Sequence, residues 1–171
     1  GQMEFAHVLK EEMEAIGIQE VELDEFGYVM GVIPSTVERE TPAIGFIAHM
    51  DTVSDFADHA VNPVVHENYD GKDLKLADSG RTLEVSVFPH LPSLAGRTLI
   101  TSDGTTVLGA DDKAGVAEIM TLAEALLAGE FPHGQISIAF TPDEEIARGA
   151  KHFDVEGFGA DYAYTLDGDE E

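Results

Sequence analysis

The sequence predicts an α/β fold, with a sheet of buried strands covered by helices on both faces. Three observations carry this. Short apolar runs, AIGFIA (43–48), QISIAF (135–140) and DYAYTL (161–166), read as strands buried on both faces. Two stretches, 3–16 and 113–128, place apolar residues at helical spacing. Strands and helices alternate along the chain, the pattern of a sheet sandwiched between helices.

Taken in order, Phe5, Val8, Leu9, Met13 and Ile16 form the apolar stripe of the first helix, and Gly17 is its predicted stop. Residues 21–23 and 28–33 read as two strands around a turn at Asp24-Glu25-Phe26-Gly27. Residues 34–41 are a polar loop, and AIGFIA follows. Residues 54–95 change texture, rich in Asp, His, Pro and Gly, and read as an excursion from the core with a strand at 82–88. Residues 97–101 and 105–108 flank Asp103-Gly104, a hairpin turn signal. In the helix at 113–128, Val116, Ala117, Met120, Ala123, Leu126 and Leu127 are the predicted buried face, with Gly129 ending it.

Composition narrows the function. The chain has 171 residues, 43% of them apolar, which suits a folded domain with a real core. It has no cysteine, so disulfides, thiolate chemistry and Cys-type zinc sites are excluded, and a metal would have to be held by His, Asp or Glu. The formal net charge of −25 argues against nucleic acid and anionic membranes as partners and reads as a solvated, self-repelling surface. No apolar run approaches the roughly 18 residues of a membrane span. The start, Gly1-Gln2-Met3-Glu4, carries no signal-like segment, so the expected location is cytoplasmic.

The acids fall in a pattern. AIGFIA runs into His49-Met50-Asp51. The Asp103-Gly104 turn leads to Gly109-Ala110-Asp111-Asp112. QISIAF runs into Asp143-Glu144-Glu145, and DYAYTL into Asp167-Gly168-Asp169. Ligands of open α/β sheets sit outside the carboxyl ends of the strands, so these segments are expected to converge on one rim. Each alone has a plain reading: a turn, a helix cap for Asp111-Asp112, a solvated pair for Glu144-Glu145. Together they place like charges that repel unless cations lie between them. His with carboxylates and no Cys suits zinc, with manganese or cobalt as the chemical alternatives. A two-metal site holds its ions roughly 3.5–4 Å apart and needs a bridging carboxylate.

The stretches IGFIAHMDT (44–52), LITSDGTTVLGADDKAGVAEIM (99–120), PHGQISIAFTPDEE (132–145) and GAKHFDVEGFGADYAYTLDG (149–168), in this order, resemble the peptidase T family of tripeptide aminopeptidases. That family belongs to the co-catalytic zinc peptidases, with carboxypeptidase G and the aminoacylases. The 62-residue separation of His49 and Asp111 is similar to this branch. The resemblance implies a three-layer αβα zinc-exopeptidase-like catalytic domain with a mixed sheet, incomplete in this chain. It implies His49 and Asp167 on one zinc, Glu145 on the second and Asp111 bridging, with a cis peptide between Asp111 and Asp112. Asp51 would orient the His49 imidazole, and Glu144 would be the general base. Asp112 and Lys113 are expected to be structural, and His7, His59, His66, His90, His133 and His152 to be packing or surface residues.

The implied substrate is a small peptide with a free N-terminus, and the complete protein is expected to be a homodimer. The family's second zinc takes a further His beyond Asp167, and its lid or dimerisation domain lies there too. The expectation is therefore an N-terminal part of the catalytic domain with negligible activity by itself. Competing readings are an acidic metal-binding module without turnover, a related deacylase or carboxypeptidase, and a two-metal phosphoesterase. The last lacks a Lys or Arg cluster among the acids.

Overall fold

The computed structural model describes residues 1–57 and 59–168. Asp169 lies outside the described residues. Residues 1–52 and 110–168 form one compact unit, and residues 53–109 form another.

The first unit is built on a five-stranded mixed sheet. Its strands are β1 (Gln19–Leu23), β2 (Val29–Ile33), β3 (Ile44–His49), β8 (Ile136–Thr141) and β9 (Tyr162–Thr165), in the order β1-β2-β8-β3-β9. β1 and β2 form an antiparallel pair, β2 is antiparallel to β8, and β8, β3 and β9 run parallel. The register aligns Val29 with Phe140, Gly31 with Ile138, and Ile44 with Ile136, so these side chains share one face. That face carries the core: Val29, Ile33, Ala48, Ile136, Ile138 and Phe140 are buried together.

Two helices cover this face. α1 (Gln2–Ile16) buries Ala6, Leu9 and Met13 and ends at Gly17, whose φ of 103° closes the helix in the left-handed region. Gly31 lets α1 approach: a Cβ there would lie 2.9 Å from the Met13 methyl and 2.7 Å from Ile18. α2 (Ala110–Leu127) packs on β3. On the opposite face, Gly45 leaves room for the ring of Phe158, from the one-turn α3 (Val155–Phe158). The expected arrangement of helices about a mixed sheet is thus present, its third layer thin among the described residues.

Two expectations for this unit need correction. DYAYTL forms a strand, but an exposed one: Tyr162 is 65% and Tyr164 is 60% exposed. β9 pairs only with β3 among the described residues, so its place at the sheet edge, and not its composition, decides its exposure. The buried stripe of α2 runs through Val116, Ile119, Ala123 and Leu126, while Ala117 is exposed and Met120 and Leu127 are half-buried. The regular helix starts only after Asp112, where the backbone is not helical, and this sets its rotation against β3.

The second unit holds two small antiparallel ribbons. β4 (Pro63–His66) pairs with β7 (Leu99–Ser102), and β5 (Leu74–Leu76) with β6 (Arg81–Leu83). The strand expected at 82–88 stops at Leu83. Val87 and Phe88 donate their amides to the Glu84 carbonyl at 2.9 and 2.8 Å and turn the chain instead. The hairpin expected across Asp103-Gly104 does not form either, because β7 takes β4 as its partner. The turn itself is present, closed by side chains: Asp103 Oδ1 accepts from the Thr105 amide at 2.8 Å, and Ser102 Oγ donates to the Thr106 carbonyl at 2.7 Å. No helix among the described residues is long and apolar enough to cross a membrane.

Candidate metal centre

Parallel pairing determines what meets at the rim. β3 and β8 run in register until His49 faces Thr141, and the Met50 amide donates to the Thr141 carbonyl at 2.8 Å. β9 runs beside β3, and the Leu166 amide donates to the Ile47 carbonyl at 2.8 Å. The carboxyl ends of three strands therefore deliver His49–Asp51, Asp143–Glu145 and Asp167 to one place, as expected for an α/β sheet. The start of α2 brings Asp111 and Asp112 there, and the peptide between them is cis, as the resemblance implied.

Gly115 makes room for this assembly. A Cβ there would stand 2.5 Å from Asp112 Oδ1 and 2.9 Å from the Leu166 carbonyl. Only a bare Cα lets the first turn of α2 come this close to the chain leading into Asp167.

His49 is the centre of the cluster and is 2% exposed. Its Nε2 lies 2.8 Å from Asp111 Oδ1, 3.8 Å from Asp167 Oδ1 and 3.9 Å from Glu144 Oε2. Its Nδ1 faces Asp51, 3.1 Å from the backbone carbonyl and 3.4 Å from Oδ1. The orienting contact expected from the Asp51 carboxylate is thus made at closer range by its carbonyl. The carboxylate has other work: Oδ1 accepts the Glu144 amide at 3.0 Å, and Oδ2 the Glu145 amide at 3.1 Å. One residue holds both the imidazole and the segment bearing the glutamate pair. That segment is a single 3-10 turn between two left-handed residues, Asp143 (φ 58°) and Ala147 (φ 56°).

Asp112 does not point outward with Asp111. It is 2% exposed and accepts the His49 amide at 3.1 Å and the Gly115 amide at 3.2 Å. This is the capping role expected of it, extended to the end of β3. Lys113 Nζ donates to the Met50 carbonyl at 3.1 Å. Among the other histidines in the matching stretches, His133 Nδ1 lies 2.7 Å from the Gly134 carbonyl, and His152 stacks on Phe26.

The electrostatics are those of a site short of positive charge. Burial pushes the His49 pKa down, but the hydrogen bond to Asp111 and the charges of Asp112, Asp51 and Asp111 outweigh it. The net shift is upward from 6.5. Burial lifts Asp112 to about 6, against the pull of the two amides it accepts. Burial, then the neighbouring charge of Asp111, raises Glu145 from its ordinary value.

The donor set fits a cation. Nitrogen and oxygen atoms of His49, Asp111 and Glu145 all lie within 4.8 Å of one another, and so do those of His49, Asp112 and Asp167. His49 belongs to both groups. With Nδ1 turned to the Asp51 carbonyl, Nε2 is the nitrogen that faces the carboxylates. Of the residues proposed from the sequence, His49, Asp51, Asp111, Glu144, Glu145 and Asp167 are gathered here. Reading the sequence missed the Asp51 carboxylate across the two glutamate amides, the Asp112 bond to the end of β3, and the need for glycine at 115. Glycine one turn after an Asp pair was the only available signal for the last.

No family model matches the chain. It is 57% identical over 170 residues to peptidase T of Listeria innocua, an alignment covering 98% of this chain and 42% of that protein. The chain resembles peptidase T over nearly its whole length. The structural comparison agrees. An aminopeptidase of Bacillus cereus ATCC 10987 matches with a TM-score of 0.70 at 30% identity, over 95% of this chain and 37% of that one. A tripeptidase of Staphylococcus aureus matches with a TM-score of 0.68 at 30% identity, over 95% of this chain and 37% of that one. The chain therefore spans about two fifths of the length of the peptidase T proteins it matches.

Proposed function

We propose that this chain carries most of the metal site of an aminopeptidase that removes the N-terminal residue of tripeptides. The supporting observation is the convergence of His49, Asp111, Glu144, Glu145 and Asp167, from four separate segments, at the carboxyl ends of parallel strands. The resemblance to a peptidase T and to a tripeptidase supports this substrate class.

In this reading His49, Asp111 and Asp167 would hold one divalent ion, and Asp111 and Glu145 would contribute to a second. Zinc suits the donors, with manganese or cobalt as alternatives. When bound, such ions would supply Lewis acidity toward the scissile carbonyl and make water more acidic. The chain's own residues do the rest. Asp51 fixes the imidazole through its carbonyl and the glutamate turn through its carboxylate. Glu144 is the half-exposed carboxylate of that turn and is not needed as a ligand, so it serves as the base that takes a proton from water. It then returns the proton to the leaving amine.

The test is Glu144→Gln in the complete protein, assayed on a free tripeptide and on its N-acetylated form. The expected result is a loss of about 10²–10⁴-fold in kcat on the free peptide, with metal content unchanged. Activity within about threefold of the parent would refute the role of Glu144. Faster cleavage of the acetylated peptide would favour a deacylase.

A further inference from the structure

The first unit also holds a cavity whose lining adjoins the glutamate turn. This cavity of about 120 Å³ is lined by Phe26, Tyr28, Asp143, Arg148, Lys151 and His152. That volume has room for one small oxyanion with water around it.

The charge of its lining is unusual for this chain. The protein has 34 acidic residues against 9 Lys and Arg, so a cation has many carboxylates within reach. Lys10, for instance, pairs with Glu14. Yet among the described residues neither Arg148 nor Lys151 makes an ion pair through its side chain. Both line the same cavity. The one acid there, Asp143, already accepts from Gln2 Nε2 at 2.6 Å.

The walls are held in place without a ligand. Tyr28 is buried, donates its hydroxyl to the Gly149 carbonyl at 3.0 Å and accepts the His152 amide at 3.2 Å. The His152 ring stacks on Phe26 with centroids 4.0 Å apart and planes 5° from parallel. The Arg148 amide donates to the Asp143 carbonyl at 2.9 Å, so the segment bearing the cations also closes the turn that carries Glu144 and Glu145. The backbone that carries the two cations is thus fixed before any ligand binds.

We propose that this cavity binds a small oxyanion, phosphate or a carboxylate, between the Arg148 guanidinium and the Lys151 ammonium. Arg148 offers a planar fork of donors and Lys151 a point charge, the pair of chemistries used for oxyanions. Its lining includes none of His49, Asp111, Glu144, Glu145 and Asp167, and it does not depend on the peptidase reading.

The test is a titration of the metal-free chain followed by amide NMR shifts of residues 148–152. The probes are inorganic phosphate, triglycine and triglycine amide, at constant low ionic strength held with chloride. The expected result is a saturable shift with phosphate or triglycine, reduced at least tenfold in affinity in Arg148→Gln/Lys151→Gln and less in Arg148→Lys, which keeps the charge but loses the fork. Saturation by phosphate alone assigns the site to phosphate. Saturation by triglycine and not its amide assigns it to a carboxylate. Both residues are exposed, so the double variant should keep the parent's spectrum elsewhere. Shifts that do not saturate, that chloride reproduces, or that persist in the double variant would overturn the proposal.

Discussion

Asp112 offers a quantitative check on how the rim is held together. Burial raises its pKa from 3.8 to about 6. A carboxyl whose pKa is raised on folding contributes stability that is full below the unfolded value and is lost as pH rises through the folded one. About two units at ~1.36 kcal/mol each place that loss near 3 kcal/mol between about pH 4 and pH 8. Asparagine removes the titration but turns an NH₂ group toward the amide of either His49 or Gly115, at a cost of about 1–3 kcal/mol. In chelator, Asp112→Asn should therefore be less stable than the parent near pH 4. It should approach or overtake the parent near pH 8. Urea denaturation across this range measures the difference, and the other carboxylates largely cancel because both proteins carry them. A difference that stays constant within about 0.5 kcal/mol would refute the reasoning, since it would mean that burial does not raise the Asp112 pKa on folding.

Other perturbations test the supports around it. Gly115→Ala puts a methyl against Asp112 and the Leu166 carbonyl, and should cost about 1–3 kcal/mol in denaturation while weakening metal binding through a displaced Asp167. Asp51→Asn keeps the carbonyl that faces His49 but loses one of the two glutamate amides. Metal affinity by competition with a chromogenic chelator should fall about 10–100-fold, and an unchanged affinity would remove Asp51 from the account.

The legible parts of the fold were those set by local pattern. α1 with its Gly17 stop, β1 and β2 around Asp24–Gly27, and the buried run of β8 follow from periodicity, turn chemistry and apolar continuity. Their union at one rim followed from the rule that α/β sheets present ligands at strand carboxyl ends. What the sequence hid depends on neighbours. DYAYTL has the composition of an interior strand, yet Tyr162 and Tyr164 are exposed because β9 lies at an edge. Residues 105–108 look like the second arm of a hairpin, yet β7 pairs with β4, some 35 residues away in sequence. At the site the residue types were readable, but the division of labour was not. Nothing in HMD says that the Asp51 carboxylate would reach two amides across the sheet while its carbonyl meets the imidazole. Asp111 and Asp112 are identical in sequence terms, yet one is exposed and the other buried, because the chain turns between them.

The central claim is that four segments assemble a cation site, and a zinc titration of this chain by calorimetry, beside Asp111→Ala, tests it most directly. Asp111 touches His49 Nε2 and belongs to the group with Glu145, yet its side chain is exposed, so its removal leaves no cavity. The account predicts saturable zinc binding by the parent, weakened at least 100-fold in Asp111→Ala, with both proteins unfolding alike in chelator. Equal, weak binding by the two would contradict it.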